Sequence, residues 1–294
     1  MQYVAILTTS ETTPLPVSAE TDLARALSAQ GAEVGDGHLL WPGLAVEIHI
    51  ECRSPLKGAE LNLPFPADIN ILPSAGRRKS LLIADMDSTI ITSESLDDLA
   101  RLSGKGDDVA AITARSIRGE LDFSASLMER VRMIGGQPDH LIRQIINEVE
   151  YTPGAEVLLA TMKAHGAHAI LASGGFTFLT RIVAQKLGFD EHYANELIIR
   201  DGLITGEVAL PILDQNAKAT RLEVATRELG LRPDDVATIG DGANDRGMTM
   251  AAGLGVAYRG KPALKDVADA CLDHADLRGL LWLQGYDKTE MVLP

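Results

Sequence analysis

At 294 residues, 46% apolar and 23% charged, the chain has the composition of an ordinary globular protein with enough material for two domains and no disordered class. Its formal charge of −14 argues against a nucleic-acid or anionic-membrane partner, since either needs a basic face, and an anionic substrate would need local cations or a metal. Cys52 and Cys271 lie far apart and outside any Cys-x-x-Cys pair, and no basic-then-apolar leader or membrane-length run is present, so a cytoplasmic protein with reduced thiols is expected.

Residues 1–78 read as a small α+β domain. Val4–Thr8 and Leu44–Glu51 have strand character, Thr21–Gln30 between them has helical period, and a short strand is expected near Asp68–Leu72. His38 and His49 are isolated and read as structural. Pro73–Lys79, with its Arg77-Arg78-Lys79 cluster, reads as a solvated, turn-rich hinge. Every candidate catalytic residue follows it, so a chain starting near Arg77 is expected to keep the chemistry.

Residues 79–294 alternate strand and helix, which predicts an α/β fold with a doubly wound, Rossmann-like parallel sheet. Leu81–Ala84 is a short apolar run ending in Asp85-Met86-Asp87-Ser88-Thr89, and a buried parallel strand delivers its last residues to a ligand crevice. Before the next sheet-like run, at Ala167–Ala172, come Glu94–Leu102, Asp107–Arg118, Phe123–Ile134 and Pro138–Val149, all with helical period. A crossover needs only about a dozen residues. The surplus, near 95–150, reads as an inserted helical cap that could close on a substrate and exclude water.

Ala167–Ala172 ends in Ser173-Gly174-Gly175-Phe176, where a hydroxyl and glycines at a strand-to-helix turn let backbone N–H groups approach an anion. His165 and His168 straddle the preceding boundary and are not expected to share a face. Ala194–Arg200 and Leu203–Ala209 flank Asp201-Gly202, a hairpin signal. Asn216-Ala217-Lys218 opens a helix reaching about Leu229; a cation so near a helix start opposes the macrodipole, and a surface lysine is as open a reading as a functional one. Val236–Gly240 then ends in Asp241-Gly242-Ala243-Asn244-Asp245, which is more specific than a lone Asp-x-Asp because a turn does not require the further Asn-Asp pair.

A sheet that brings Asp85, Asp87, Ser173, Lys218, Asp241 and Asp245 to one edge gathers carboxylates that repel one another unless a hard cation sits among them. Oxygen ligands without His or Cys point to Mg²⁺. Lys218 and the Ser173-Gly174 donors would then hold a phosphate. Attack by Asp85 on a phosphate anion is opposed by about 4 kcal/mol for unit charges at contact in a partly screened site, which Mg²⁺ and Lys218 would offset.

In this order, the motifs resemble the haloacid dehalogenase superfamily of phosphatases. Within it, Asp85–Thr89, Glu94, Phe123, Glu129-Arg130-Val131, Ser173–Phe176, Asn216–Lys218 and Gly240–Asp245 resemble the phosphoserine phosphatase family, over residues 81 to about 285. The resemblance implies Mg²⁺-dependent hydrolysis of a small phosphomonoester, O-phospho-L-serine, through an aspartyl-phosphate, as the last step of serine biosynthesis. It implies Asp85 as nucleophile and Asp87 as general acid, then base. It implies a metal held by Asp85, the Asp87 backbone carbonyl and Asp241, with Asp245 behind them. Ser173, Gly174 and Lys218 would bind the phosphoryl group with Asn244 nearby, while Glu94, Arg130 and Phe123 would meet the rest of the substrate. The N-terminal domain is loosely similar to small ACT-like ligand-binding modules, and a homodimer is left open.

Two other functions use similar parts. A receiver-type signalling domain also combines aspartates, a hydroxyl and a lysine on a doubly wound sheet, but it lacks a cap and a counterpart of Asp87. A phosphotransferase of the same superfamily would pass the aspartyl-phosphate to an alcohol instead of water.

Overall fold

A computed structural model describes residues 1–54 and 56–293 of the chain. The N-terminal segment forms β1 (Gln2–Thr8), α1 (Ala19–Ala29), β2 (Glu33–Trp41), β3 (Ala45–Glu51) and β4 (Asp68–Pro73). The strands make an antiparallel sheet in the order β2-β3-β1-β4, and α1 buries Leu23 and Leu27. β2 is absent from the sequence reading. It is an edge strand with mostly exposed side chains, irregular between Val34 and Gly37, so it carries no apolar period to detect.

From Leu81 the chain winds a second sheet. β5 (Leu81–Ala84) leads through a tight turn into the cap helices α2 (Ser95–Leu102), α3 (Gly106–Ile117), α4 (Phe123–Met133) and α5 (His140–Glu148). There follow α6 (Ala155–Ala164), β6 (His168–Phe176), α7 (Thr177–Leu187), β7 (Glu191–Asn195) and the hairpin β8 (Leu197–Arg200)–β9 (Leu203–Val208). The chain continues with α8 (Gln215–Glu228), β10 (Val236–Gly240), α9 (Arg246–Ala251), β11 (Leu254–Tyr258), α10 (Pro262–Lys265), β12 (Ala270–Leu272) and α11 (Gly279–Leu283).

The six strands pair in parallel in the order β12-β11-β10-β5-β6-β7, the doubly wound sheet that the alternation of elements predicts. All four residues of β5 are buried, as required of a central strand covered on both faces. β5 lies between β6 and β10, where the strand order reverses, so its C-terminal end opens into a crevice. The hairpin is shorter than the sequence suggests: Ala194 and Asn195 belong to β7. That strand sits at the sheet edge with half-buried Glu191, His192 and Tyr193, so it lacks the apolar run of an inner strand.

The cap is tethered to the β8–β9 hairpin by backbone bonds as well as by its chain connections. Gly136 N–H donates to Ile204 C=O (2.8 Å), Ile204 N–H to Gln137 C=O (2.8 Å), and Asp139 N–H to Gly202 C=O (2.9 Å), so the hairpin grips the loop between α4 and α5. No helix among the described residues is long and apolar enough to cross a membrane.

The Pro73–Lys79 stretch is not the solvated hinge that its basic residues suggest. Arg77 pairs with Glu47 at 2.8 Å and donates to the carbonyls of Leu283 and Trp282, both at 2.9 Å. Arg78 stacks on Tyr286, and the buried Lys79 donates to Asp234 C=O at 2.6 Å. The reason is positional: β4 lies beside the far edge of the parallel sheet, so the segment runs through a junction. There the buried Asp68 carboxylate accepts N–H bonds from Asp273 (2.8 Å), His274 (3.0 Å) and Ala275 (2.8 Å). Asn70 exchanges two bonds with the backbone of Cys271, at 2.8 and 2.9 Å. Val4, Ile6, Leu40, Leu44 and Leu72 share one core with Trp282 and Leu283.

Asp68→Ala should therefore lower unfolding stability by roughly 3 kcal/mol, because it strands buried N–H donors that bond a charged acceptor. Urea titration followed by circular dichroism measures this; a loss under about 0.5 kcal/mol, typical of surface changes, would contradict it.

Candidate active site

Three strand ends build the site. Asp85 follows β5 directly, and its N–H donates to Ile239 C=O of the neighbouring β10 at 2.9 Å, so its position is set by the sheet ladder. Its side chain is buried and accepts from Met86 N–H at 2.8 Å. The chain then turns sharply, with Ser88 at φ 54°, which brings Asp87 back over the strand ends. Both Asp87 oxygens are held: Oδ1 accepts from Ser95 N–H at 2.8 Å, and Oδ2 from Ser173 Oγ–H at 3.0 Å. Burial pushes the Asp87 carboxyl up, against the lowering effect of these bonds.

Ser173 is fully buried and accepts from Gly175 N–H at 2.8 Å. Gly175 is needed for space, since a Cβ there would lie 2.6 Å from Asp87 Oδ2 and 2.9 Å from Ser95 Oγ. The Phe123 ring, at the start of α4, closes on Gly174, where a Cβ would meet it at 2.8 Å.

Lys218 reaches the same edge from the first turns of α8, a helix start fixed by Asp214, whose side chain accepts from Asn216 and Ala217 N–H. The lysine is 1% exposed, and Nζ lies 2.7 Å from Asp85 Oδ1 and 2.6 Å from Asp245 Oδ1. Burial pulls its pKa down, but Asp245 and Asp85 outweigh that and hold the ammonium above its ordinary value. In turn, burial and the Asp245 charge push Asp85 up, against Lys218. Asp245 Oδ2 accepts from Asp241 and Gly242 N–H, each at 3.1 Å, so both of its oxygens are engaged. Half-buried Asn244 turns Oδ1 toward Gly242.

Oxygens of Asp85, Asp241 and Asp245, all buried, lie within 4.8 Å of one another. This donor set is hard and anionic, and Lys218 and Lys261 together supply two positive charges against three carboxylates, so the residues fit a divalent cation of the oxygen-preferring kind. Both oxygens of Asp245 are engaged, by Lys218 and by the turn, whereas the bonds to the Asp85 and Asp241 side chains fall on one oxygen of each.

Glu94 and Arg130 face this edge from the cap side. Glu94 lies open at the mouth and accepts from Ser88 Oγ–H at 2.8 Å; the protein packed around it and the Asp87 charge push its carboxyl up to about 7. Arg130 is not paired with its neighbour Glu129, which bonds Arg115 at 2.5 Å. Its Nε is buried without a hydrogen-bond partner, and burial lowers its pKa against the pull of Asp97, Glu94 and Asp87. Arg130 Nε therefore keeps a donor that no protein acceptor among the described residues takes up.

Two contributors, Ser95 and Lys261, escape sequence reading, and a third, Gly175, reads as part of the Ser-Gly-Gly turn but not for the space it leaves. Ser95 supplies a backbone donor to Asp87, Gly175 supplies space, and Lys261 Nζ bonds Asp241 Oδ2 at 2.9 Å while its N–H donates to Asp241 C=O. Lys261 follows a buried strand and precedes Pro262, a position parallel to that of the strand-end carboxylates, which is the one signal it carries.

The haloacid dehalogenase-like hydrolase family matches residues 82–250. The chain is 41% identical over 204 residues to the phosphoserine phosphatase of Archaeoglobus fulgidus, covering 69% of this chain and 59%, less than two thirds, of that protein. It is 35% identical over 288 residues to the phosphoserine phosphatase of Mycobacterium tuberculosis, covering 95% of this chain and 70% of that one. Among solved structures, a phospho-aspartyl intermediate analogue of a phosphoserine phosphatase matches with a TM-score of 0.66 and 37% identity, over 70% of this chain and 98% of the other.

In the ligand-free protein the Glu94 carboxyl should titrate near 7. Carbon-13 NMR of the side-chain carboxyl checks this, and Ser88→Ala should raise the value further, because it removes a donor to the charged form. A value near the ordinary carboxylate pKa of about 4.3 would refute it.

Proposed function

The chain belongs to the haloacid dehalogenase-like hydrolase family, and from that premise we propose that it is a phosphoserine phosphatase that cleaves O-phospho-L-serine to serine and phosphate. One juxtaposition carries the reading: Asp85 and Asp87 beside the buried Lys218, with the unpaired Arg130 nitrogen facing them from the cap. Asp85 is the nucleophile. Its carboxylate attacks phosphorus to give an aspartyl-phosphate as the serine oxygen departs, and Asp87, raised by burial, donates the proton that oxygen needs. Asp87 then takes a proton from water, whose oxygen attacks the phosphorus and returns Asp85 to the free carboxylate.

Lys218, Ser173 and the Gly174 backbone hold the phosphoryl oxygens, with Asn244 beside them. Mg²⁺, held by Asp85, the Asp87 carbonyl and Asp241, with Asp245 orienting the set, would neutralise charge on the transferring group. In the cap, a zwitterionic amino-acid head needs one anion and one cation; Glu94 supplies the first and Arg130 the second, Phe123 lining the space between. Free cysteines and a small polar metabolite as substrate fit a cytoplasmic enzyme.

Asp85→Asn should abolish turnover, and acid quenching of its reaction with labelled substrate should leave no phosphoenzyme; a phosphoenzyme trapped on this variant would remove Asp85 as nucleophile. Arg130→Ala should raise KM for phosphoserine by about tenfold or more, the scale of one charged hydrogen-bonded contact, and change hydrolysis of p-nitrophenyl phosphate far less. Equal losses on both esters would assign Arg130 to the fold or the phosphate site instead.

A further inference from the structure

Asn195 ends β7, is 2% exposed, and belongs to neither the metal nor the substrate residues described above. Its amide bonds two separate segments. Nδ2 donates to Gly174 C=O at 2.9 Å and to Leu213 C=O at 3.4 Å, while Oδ1 accepts from Leu213 N–H at 2.7 Å. The first bond falls where the sheet is interrupted: β6 and β7 pair at Ala172 with Tyr193 and next at Phe176 with Asn195, so the Ser173–Gly175 loop bows out of the ladder between them.

The consequence for the site follows from peptide geometry. In a planar trans peptide, C=O and N–H point in opposite directions. Holding the Gly174 carbonyl toward Asn195 turns the Gly175 N–H away from it, and that N–H donates to Ser173 Oγ, which itself donates to Asp87 Oδ2. On the other side, Leu213 immediately precedes Asp214, whose carboxylate starts α8 and so sets the approach of Lys218. One buried amide therefore joins the segment that carries Ser173 to the segment that starts the helix of Lys218.

We propose that Asn195 is a positioning residue that sets the separation between the Ser173 hydroxyl and the Lys218 ammonium. This rests on the phosphatase reading of the site. Asn195 touches no reacting atom; it acts through the Gly174–Gly175 peptide and through the start of α8. Its loss should weaken the grip on the phosphoryl group whatever the leaving group is.

Asn195→Asp tests this, because it keeps the shape but replaces the donor with a carboxylate facing the Gly174 carbonyl. The kcat should fall about 10–100-fold, by the same factor for phosphoserine and p-nitrophenyl phosphate, and the inhibition constant of orthovanadate should rise about tenfold or more. The vanadate and p-nitrophenyl phosphate arms remain decisive if phosphoserine is not the substrate. A lowered Tm with vanadate inhibition unchanged and kcat within about threefold would overturn the proposal, and so would a loss confined to phosphoserine. If the Asp variant does not fold, Asn195→Ser, smaller and still a donor, replaces it; failure of both to fold would show that the amide supports the fold rather than the site.

Discussion

The Lys218 ammonium, buried between Asp85 and Asp245 at 2.7 and 2.6 Å, is the charge on which the rest of the sheet edge depends. Burying two carboxylates side by side is unfavourable, and removing the partner of a buried ion pair typically costs about 3–5 kcal/mol because charge is left uncompensated. Here the cation also divides the labour of the acids. By engaging Asp245 it keeps that residue on the loop amides of Asp241 and Gly242, and so leaves Asp241 and Asp85 turned toward the crevice.

Lys218 can do this because α8 begins at the sheet edge and not above it. Its position in the first turns of a helix is electrostatically unfavourable for the helix itself, a local conflict outweighed by two carboxylates at contact distance. Conflicts of this kind, in which a residue is badly placed for its own element and well placed for its neighbours, are expected where function rather than stability selects the residue.

Much of this was legible in the chain. The strand-end carboxylates, the long helical surplus and the Ser-Gly-Gly turn follow from strand length, period and turn chemistry, all of which are local, and the parallel sheet follows from their alternation. What escaped is non-local. β2 and β7 lie at sheet edges, where exposure erases the apolar period; Lys261 and Ser95 matter only through what the fold sets opposite them; and Arg77–Lys79 read as solvent-facing because charge says nothing about which backbone carbonyls wait nearby. Lys218 could be placed on a helix but not assigned to core or surface until Asp85 and Asp245 were beside it.

The junction between the two sheets also bears on how the chain is made. Asp68 finds its N–H donors 205 to 207 residues further on, and Arg77 its carbonyls 205 and 206 residues on. During synthesis this antiparallel sheet therefore emerges with a carboxylate destined for burial still unpartnered and part of its apolar face uncovered, and these are satisfied only when residues 273–283 arrive. Closing so long a loop is slow relative to local pairing, so final locking of this segment waits for the 205 to 207 residues that separate it from its donors. In the interval the edge of β4 lacks its neighbour β12, and the wait ends with the residues that follow that strand, Asp273–Ala275 for Asp68 and Trp282 and Leu283 for Arg77.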